Sequence, residues 1–172
     1  MPDSYPIAFL GGRFLEITKA SVSVLDRGFL YGDGLFESVR ICRGKLFRWR
    51  EHLERILSGA AFLKLRLGCS GEDLTRAALD LVEKNEASEA ILRINISRGI
   101  GERGYSIRHA GKPTILITLH QAPVLNEKKL ERWKFQIAHS VRLPSNNVLA
   151  AYKTLLTGKP SDELMGGSRS GS

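Results

Sequence analysis

Residues 22 to 40 read V-S-V-L-D-R-G-F-L-Y-G-D-G-L-F-E-S-V-R. Apolar side chains flank Asp26-Arg27-Gly28 and Gly32-Asp33-Gly34, so the pattern predicts a strand, a sharp turn and a second strand. Alternation along the second strand puts Phe36 and Arg40 on the same face. Taken alone, this pattern is typical of a hairpin that happens to carry charges.

The composition indicates a globular chain about the size of one domain. It has 172 residues, of which 42% are hydrophobic, and this is enough apolar material for a core. The formal net charge is +8, and the excess of Lys and Arg is concentrated between Arg43 and Arg66. No nucleic-acid-binding motif accompanies these charges. A solvated basic face, or a pocket for a phosphate and a carboxylate, explains them.

The cysteines and the N-terminus indicate a cytosolic protein. Cys42 and Cys69 have no partner at metal-ligand spacing, so we expect free thiols in a reducing compartment. The N-terminus, M-P-D-S-Y-P, has neither the basic nor the apolar region of a signal peptide. No apolar run approaches the length of a membrane span, and we therefore expect a cytoplasmic location.

The first third of the chain predicts locally connected antiparallel strands. Residues 7–17 form a hairpin around Gly11-Gly12, and residues 46–49 form a short strand. From Glu51 the apolar period changes to that of a helix, which we expect to end at residues 68–71. Its buried positions are Leu53, Ile56, Leu57, Ala60, Leu63 and Leu67.

A second helix and three more strands follow. Ser70 is the predicted N-cap of the helix, with Asp73 three residues later. Its buried side comprises Leu74, Ala77, Ala78, Leu81 and Val82. The strands are predicted at 90–98, 113–120 and 133–141. The fold class is therefore α+β, an antiparallel sheet with two helices.

The character of the sequence changes after Leu155. Residues 157–172 are rich in Gly and Ser towards their end, so we expect a flexible tail.

The sequence contains one glycine motif and four histidines that could suggest a cofactor site or a metal site. The dinucleotide-binding pattern G-x-G-x-x-G is matched by Gly99, Gly101 and Gly104. The segment that follows is too short, and too often interrupted by glycine, to form the helix that this pattern requires. We therefore reject an NAD site. The four histidines, at 52, 109, 120 and 139, show no metal-ligand spacing, and we interpret each as structural or solvated. No metal site is expected.

Four segments together resemble the class IV (fold type IV) enzymes that depend on pyridoxal 5'-phosphate (PLP). They are D-R-G-F-L-Y-G-D-G-L-F-E-S-V-R from Asp26, E-H-L-E-R-I from Glu51, S-R-G-I-G-E-R-G-Y-S from Ser97, and S-V-R-L-P-S-N-N-V-L-A-A-Y-K-T-L from Ser140. The resemblance implies the small N-terminal α+β domain of this family at residues 1–122, followed by the first strands of an incomplete larger domain at residues 123–156. The family includes branched-chain and D-amino acid aminotransferases and aminodeoxychorismate lyases.

The resemblance implies a cofactor and two residues that bind it. Lys153 matches the lysine that forms a Schiff base with PLP and then transfers protons. Arg55 matches the arginine that binds the cofactor phosphate, for which a planar bidentate donor is suited. Without the other motifs, both would be interpreted as surface cations.

The substrate side is also implied by the resemblance. Tyr31, Phe36 and Arg40 match positions that line the substrate pocket. A loop that begins at Arg98 matches the family's loop near the substrate carboxylate, and from it Arg103 and Tyr105 are the expected carboxylate clamp. The substrate is therefore an amino acid or aminodeoxychorismate, and the family implies a homodimer. We expect no membrane partner and no nucleic-acid partner.

The reaction type stays open. The 97–106 and 140–143 segments favour a lyase that releases pyruvate and 4-aminobenzoate for folate synthesis, whereas the surroundings of Phe36 and Lys153 equally suit a transaminase. Both reactions begin with the same proton abstraction.

The resemblance fades after Lys153, where the family continues into a larger domain that supplies a glutamate for the pyridine nitrogen. We therefore expect a truncated enzyme of reduced activity. The alternative is a catalytically silent domain that docks to a full-length relative. A basic nucleic-acid binder is a weaker third hypothesis that rests on charge alone.

Overall fold

The structure of the chain is a computed structural model, which describes residues 4–123 and 152–155. These residues form strands and helices in the order β1 (Ile7–Leu10), β2 (Arg13–Glu16), α1 (Arg27–Tyr31), β3 (Gly34–Cys42), β4 (Lys45–Leu46), α2 (Trp49–Phe62), α3 (Gly71–Lys84), β5 (Glu89–Ser97) and β6 (Thr114–Gln121). A short 3-10 helix, Ile17–Lys19, follows β2. The predicted α+β class is confirmed.

The strands form one antiparallel sheet in the order β2-β1-β6-β5-β3-β4. β3 and β5 pair along their whole length, from Gly34 opposite Ser97 to Cys42 opposite Glu89. The alternation in β3 buries every second side chain, so the residues at 36, 38, 40 and 42 share the opposite, half-buried face. This confirms that Phe36 and Arg40 lie on the same face.

Three predicted strand segments are confirmed. The hairpin around Gly11-Gly12 is β1 and β2, and the strands expected at 90–98 and 113–120 are β5 and β6. β1 also pairs with β6, which brings the N-terminal hairpin beside the last described strand.

Both long helices pack on the same face of the sheet. The core contains Leu35, Val39 and Ile41 from β3, together with side chains of β5, β6, α2 and α3. α3 begins as predicted, because Ser70 and Asp73 each accept a hydrogen bond from the other's backbone N–H, at 3.1 and 2.9 Å. The five apolar residues predicted for its buried side are all buried.

The first long helix is shorter than the sequence predicts. α2 ends at Phe62 rather than near Gly68, although the apolar period continues to Leu67. Lys64 has a left-handed backbone, φ 55°, and the Leu65 N–H donates to the Ala60 carbonyl at 2.8 Å. The chain therefore leaves the helical path after Phe62, and the Leu65 side chain is buried. The short strand predicted at 46–49 is also shorter, because α2 already begins at Trp49.

The predicted strand at Val22 to Leu25 and the sharp turn after it are wrong. Residues 22–25 are not a strand, and the turn is the short helix α1. Asp26 is its N-cap and accepts from the Gly28 N–H at 2.7 Å, while Gly32 ends it with φ 64°. The Asp-Arg-Gly and Gly-Asp-Gly triplets are thus helix caps rather than hairpin turns.

The described end of the chain, residues 152–155, lies against the free edge of β3. The Phe36 N–H donates to the Lys153 carbonyl at 2.8 Å, and the Leu155 N–H donates to the Gly34 carbonyl at 2.9 Å. The predicted strand at 133–141, most of the proposed second domain and the predicted tail lie outside the described residues. None of the helices within 4–123 is long and apolar enough to cross a membrane.

Candidate active site

The site is built around Glu37, a carboxylate on the buried face of β3. Its residue exposure is 0%, and the side chain points at α2 rather than at solvent. Arg55 binds it in a bidentate manner through Nε and Nη2, the latter at 2.9 Å from Oε2. His52 Nδ1 lies 2.7 Å from the same oxygen, and Lys153 Nζ lies 3.8 Å from it. A buried anion is therefore surrounded by two cationic groups and an imidazole.

Electrostatics keep Glu37 ionised. Burial alone would raise the pKa of this carboxyl, but the hydrogen bonds from Arg55 and His52, with the charges of Lys153 and Arg55, outweigh it. The pKa of Glu37 is therefore lower than usual, and that of Arg55 is raised by the same ion pair. Glu37 fixes the plane of the guanidinium and attracts the lysine amine.

Backbone pairing and an aromatic stack position Lys153. Its carbonyl accepts from β3, and the preceding Tyr152 stacks on Phe62 of α2, with ring centroids 5.0 Å apart. Gly59 makes room for this stack, since a Cβ there would lie 3.2 Å from the Tyr152 ring. The Lys153 side chain is 45% exposed, and its amine lies 5.9 Å from the ring centre of Phe36. It is thus accessible beside an apolar wall.

A second buried ion cluster holds the turn before β3. Asp33 Oδ2 accepts from Arg27 Nε at 2.9 Å and from Arg98 Nε at 2.8 Å. Burial alone would raise the pKa of Asp33, but the two guanidinium groups outweigh it and the pKa is lowered. Arg98, which begins the 98–111 loop, donates onward to the Leu63 and Lys64 carbonyls at 2.9 and 3.4 Å, so its role is to join the turn to the end of α2.

The structure brings only some of the predicted substrate residues together. The rings of Tyr31 and Tyr105 lie 5.7 Å apart, and Tyr105 is 88% exposed. Arg103 is exposed on the same loop. Arg40 lies four residues from Phe36 along β3, a separation of roughly 13 Å at the rise of a strand. Its guanidinium forms an ion pair with Glu89, at 2.7 Å.

Two residues of the site, Glu37 and His52, were not among the predicted site residues. A signal for both existed in the sequence. Glu37 occupies a position of β3 whose alternation partners are Leu35 and Val39, and a carboxylate in such a series needs a partner. His52 precedes Arg55 by three residues, which puts both on one face of α2.

The residues present fit PLP. In the described part of the chain, Arg55 hydrogen bonds through Nε and Nη2, which leaves Nη1 for a further anion such as a phosphate. Lys153 supplies an accessible amine, and Phe36 a flat apolar surface beside it. The segment after Gly99 contains no helix up to β6, as its glycine-interrupted sequence predicts.

Comparison with known proteins assigns the family. The sequence pattern of the amino-transferase class IV family matches residues 34–158. A Methanocaldococcus jannaschii protein provisionally named a branched-chain-amino-acid aminotransferase is 33% identical over 148 residues, which cover 86% of this chain and 50% of that protein. D-alanine aminotransferase of Staphylococcus aureus is 40% identical over 98 residues, which cover 57% of this chain and 35% of that enzyme.

Solved structures share the fold. The branched-chain amino acid aminotransferase of Escherichia coli superimposes with a TM-score of 0.75 at 22% identity, covering 87% of this chain and 51% of that one. The 4-amino-4-deoxychorismate lyase of Pseudomonas aeruginosa gives 0.58 at 28% identity, covering 70% and 42%.

The chain thus spans at most about half the length of these relatives. Class IV aminotransferases are PLP-dependent, and one solved relative is complexed with N-(5'-phosphopyridoxyl)-L-glutamate. With a family match over most of its described core and a lysine, an arginine and a buried carboxylate gathered at the edge of β3, the chain belongs to the class IV aminotransferases.

Proposed function

We propose that this chain is the N-terminal part of a PLP-dependent aminotransferase that acts on amino acids. One observation carries the proposal: the Lys153 amine lies 3.8 Å from a buried carboxylate that Arg55 and His52 already hold. This arrangement places an amine that can bind an aldehyde covalently beside a cation that can bind a phosphate. Both suit a phosphorylated aldehyde.

Each residue of the site has a distinct task in this proposal. Lys153 would hold the cofactor covalently, and its amine would also move a proton at the substrate's α-carbon. Arg55 would bind the phosphate, while Glu37 orients the guanidinium. PLP, when bound, supplies the electron sink for this chemistry.

The substrate side is formed by Phe36, Tyr31, Arg103 and Tyr105. Phe36 is an apolar wall next to Lys153, and the loop residues Arg103 and Tyr105 carry the donors that a substrate carboxylate requires. Arg40 is left out of this proposal, because Glu89 engages its guanidinium.

The first experiment locates the cofactor. The purified chain is mixed with PLP, reduced with borohydride and digested, and the pyridoxyl group is located by peptide mass. We expect the label on Lys153 and its loss in Lys153→Ala, whereas Lys45→Ala on the exposed β3–β4 hairpin keeps it. Labelling spread over many lysines, or retained in Lys153→Ala, would overturn the proposal.

The second experiment tests the phosphate cation. Arg55→Gln should weaken PLP binding by about 10-fold to 100-fold, the loss expected for one charge-assisted hydrogen bond. Arg50→Gln is the matched control, since Arg50 lies on the same helix but pairs with Glu54 in solvent. Equal affinities of the two variants would remove Arg55 from the proposed site.

The reaction is identified by the product. The PLP-loaded chain is incubated with branched-chain amino acids, D-alanine and aminodeoxychorismate. Formation of a keto acid from an amino acid supports the proposal. Release of pyruvate from aminodeoxychorismate without transamination would assign a lyase instead.

We also propose that the protein is a homodimer. The support is an exposed apolar surface formed by the segment before α1 and by α1 itself, in which Val24, Leu25 and Phe29 are 71%, 55% and 75% exposed. Ile100, 50% exposed, adjoins it through the bridge between Asp26 and Ile100. An apolar surface of this kind is typical of an interface.

A further inference from the structure

Arg27 is a buried cation that the function proposed above does not use. Its side chain is 3% exposed, and it shares the Asp33 carboxylate with Arg98. One carboxylate cannot satisfy two buried guanidinium groups, so each must find further acceptors. Arg98 finds them at the end of α2, whereas Arg27 finds them in the loop between β5 and β6.

The contacts of Arg27 fix this loop at its centre. Nη1 donates to the Gly104 carbonyl at 2.8 Å, and Nη2 to the Tyr105 carbonyl at 3.4 Å. The stem of Arg27 passes over Gly101, where a Cβ would lie 2.8 Å from Cδ. The Arg27 N–H also donates to the Gly99 carbonyl at 2.9 Å. The loop backbone is therefore shaped around one side chain.

The same guanidinium orients Tyr31. Its carbon lies 4.9 Å from the centre of the Tyr31 ring, and the Tyr31 hydroxyl accepts from the Gly104 N–H at 3.0 Å. The Tyr31 ring in turn contacts Tyr105. Two proposed substrate residues from distant parts of the sequence thus share Arg27 as their common support.

We infer that Arg27 is a positioning residue for the carboxylate end of the substrate. The inference rests on the proposed function, which makes the loop and Tyr31 the substrate side. Arg103 and the Tyr105 ring are exposed and belong to no regular element, so their placement depends on the backbone at 104 and 105. Only a planar guanidinium can reach the Asp33 carboxylate and both carbonyls at once.

Hydrogen exchange of the whole chain tests this inference without any need for turnover. Arg27→Lys keeps the charge next to Asp33 but loses the fork, so exchange at the Gly104 N–H should rise by about tenfold, the effect of one lost hydrogen bond to a charged donor. Arg98→Lys is the matched control: it perturbs the same carboxylate, and its faster exchange should be confined to residues 63–65. Unchanged protection of Gly104 in Arg27→Lys, or equal loss in both variants, would overturn the inference.

A milder variant keeps the inference testable if Arg27→Lys fails to fold. Tyr31→Phe removes only the hydroxyl that accepts from Gly104, and it should raise exchange at that N–H while Arg27 stays in place. Unchanged exchange at the Gly104 N–H in Tyr31→Phe would contradict the role of Tyr31 in holding the loop.

Kinetics separate positioning from general stability. With the PLP-loaded protein, Arg27→Lys should raise KM for the amino acid by about tenfold with a smaller change in kcat, and borohydride labelling of Lys153 should stay as in the wild type. If Lys153 is not labelled in the wild type, the proposed function fails while the exchange comparison still decides whether Arg27 holds the loop. Equal changes in KM and kcat would contradict the assignment to the substrate carboxylate.

Discussion

Glu37 differs from the exposed carboxylates of the chain because its charge is buried and its partners come from two distant segments. Its lowered pKa stabilises the folded state above the pKa of the unfolded carboxyl, and this contribution is lost as the pH falls through the lower folded-state value. Acid should therefore loosen the attachment of α2 to β3.

Glu37→Gln tests this pH dependence. The variant should lose about 1–3 kcal/mol in the free energy of unfolding at neutral pH, because Arg55 loses its ionic partner. It should also show a smaller decline below about pH 5 than the wild type. Urea unfolding between pH 3.5 and 7 measures both, with Glu54→Gln, an exposed partner of Arg50, as the control. Parallel pH profiles of wild type and Glu37→Gln would contradict the assignment.

At the level of single residues, the sequence predicts Lys153 and Arg55 as site residues only through the resemblance to a family. Periodicity could not have found Lys153, because the contact that makes it special joins residues 37 and 153. His52, for which the sequence predicts a structural or solvated role, contacts the buried carboxylate. Its distance from Glu37 in the sequence hides a contact that β3 and α2 create together.

Among the elements, the two long helices were predicted with different success. α3 carries its boundary signals locally, in the Ser70 and Asp73 capping box. The end of α2 is capped by Arg98, which lies 35 residues away from the Leu63 carbonyl to which it donates. A capping interaction between residues so far apart in the sequence leaves no local signal. The apolar period therefore predicts a longer helix than the one that forms.

Gly34→Ala tests the closest contact of β3. A Cβ at Gly34 would lie 2.3 Å from the Ile96 carbonyl oxygen, which is backbone and cannot give way without moving β5. We expect a loss of at least about 2 kcal/mol in the free energy of unfolding. Gly71→Ala is the control, because its nearest contact is a side-chain methyl of Leu57 at 3.2 Å, and we expect a change within about 1 kcal/mol. Similar losses in thermal or urea unfolding would contradict this account.

For the whole molecule, the sequence predicted the sheet and its class but not the order of its strands. β1 pairs with β6 across more than half of the chain, and no turn signal connects them. The apolar residues of the segment before α1 predict a strand, but the segment forms none. Its side chains instead face outwards, where a partner can cover them.

Phe29→Ser tests the proposed dimer. Sedimentation of the wild-type chain over a range of concentrations should show a dimer, and Phe29→Ser should weaken it by about tenfold or more, because a large exposed aromatic ring is the kind of residue that dominates interfaces. Leu79→Ser is the control, since Leu79 is 47% exposed on α3. A monomer at all concentrations, or an equal effect of both variants, would contradict the proposal.

Main-chain hydrogen bonds attach residues 153–155 to β3, so the point of the backbone from which the amine extends does not depend on the side chain at position 153. A Lys153→Cys protein alkylated with bromoethylamine would present a primary amine from the same point of the backbone, with a thioether in place of one methylene. The site is therefore suited to chemical repair, and amines of different basicity installed at position 153 would measure how labelling by PLP depends on the amine.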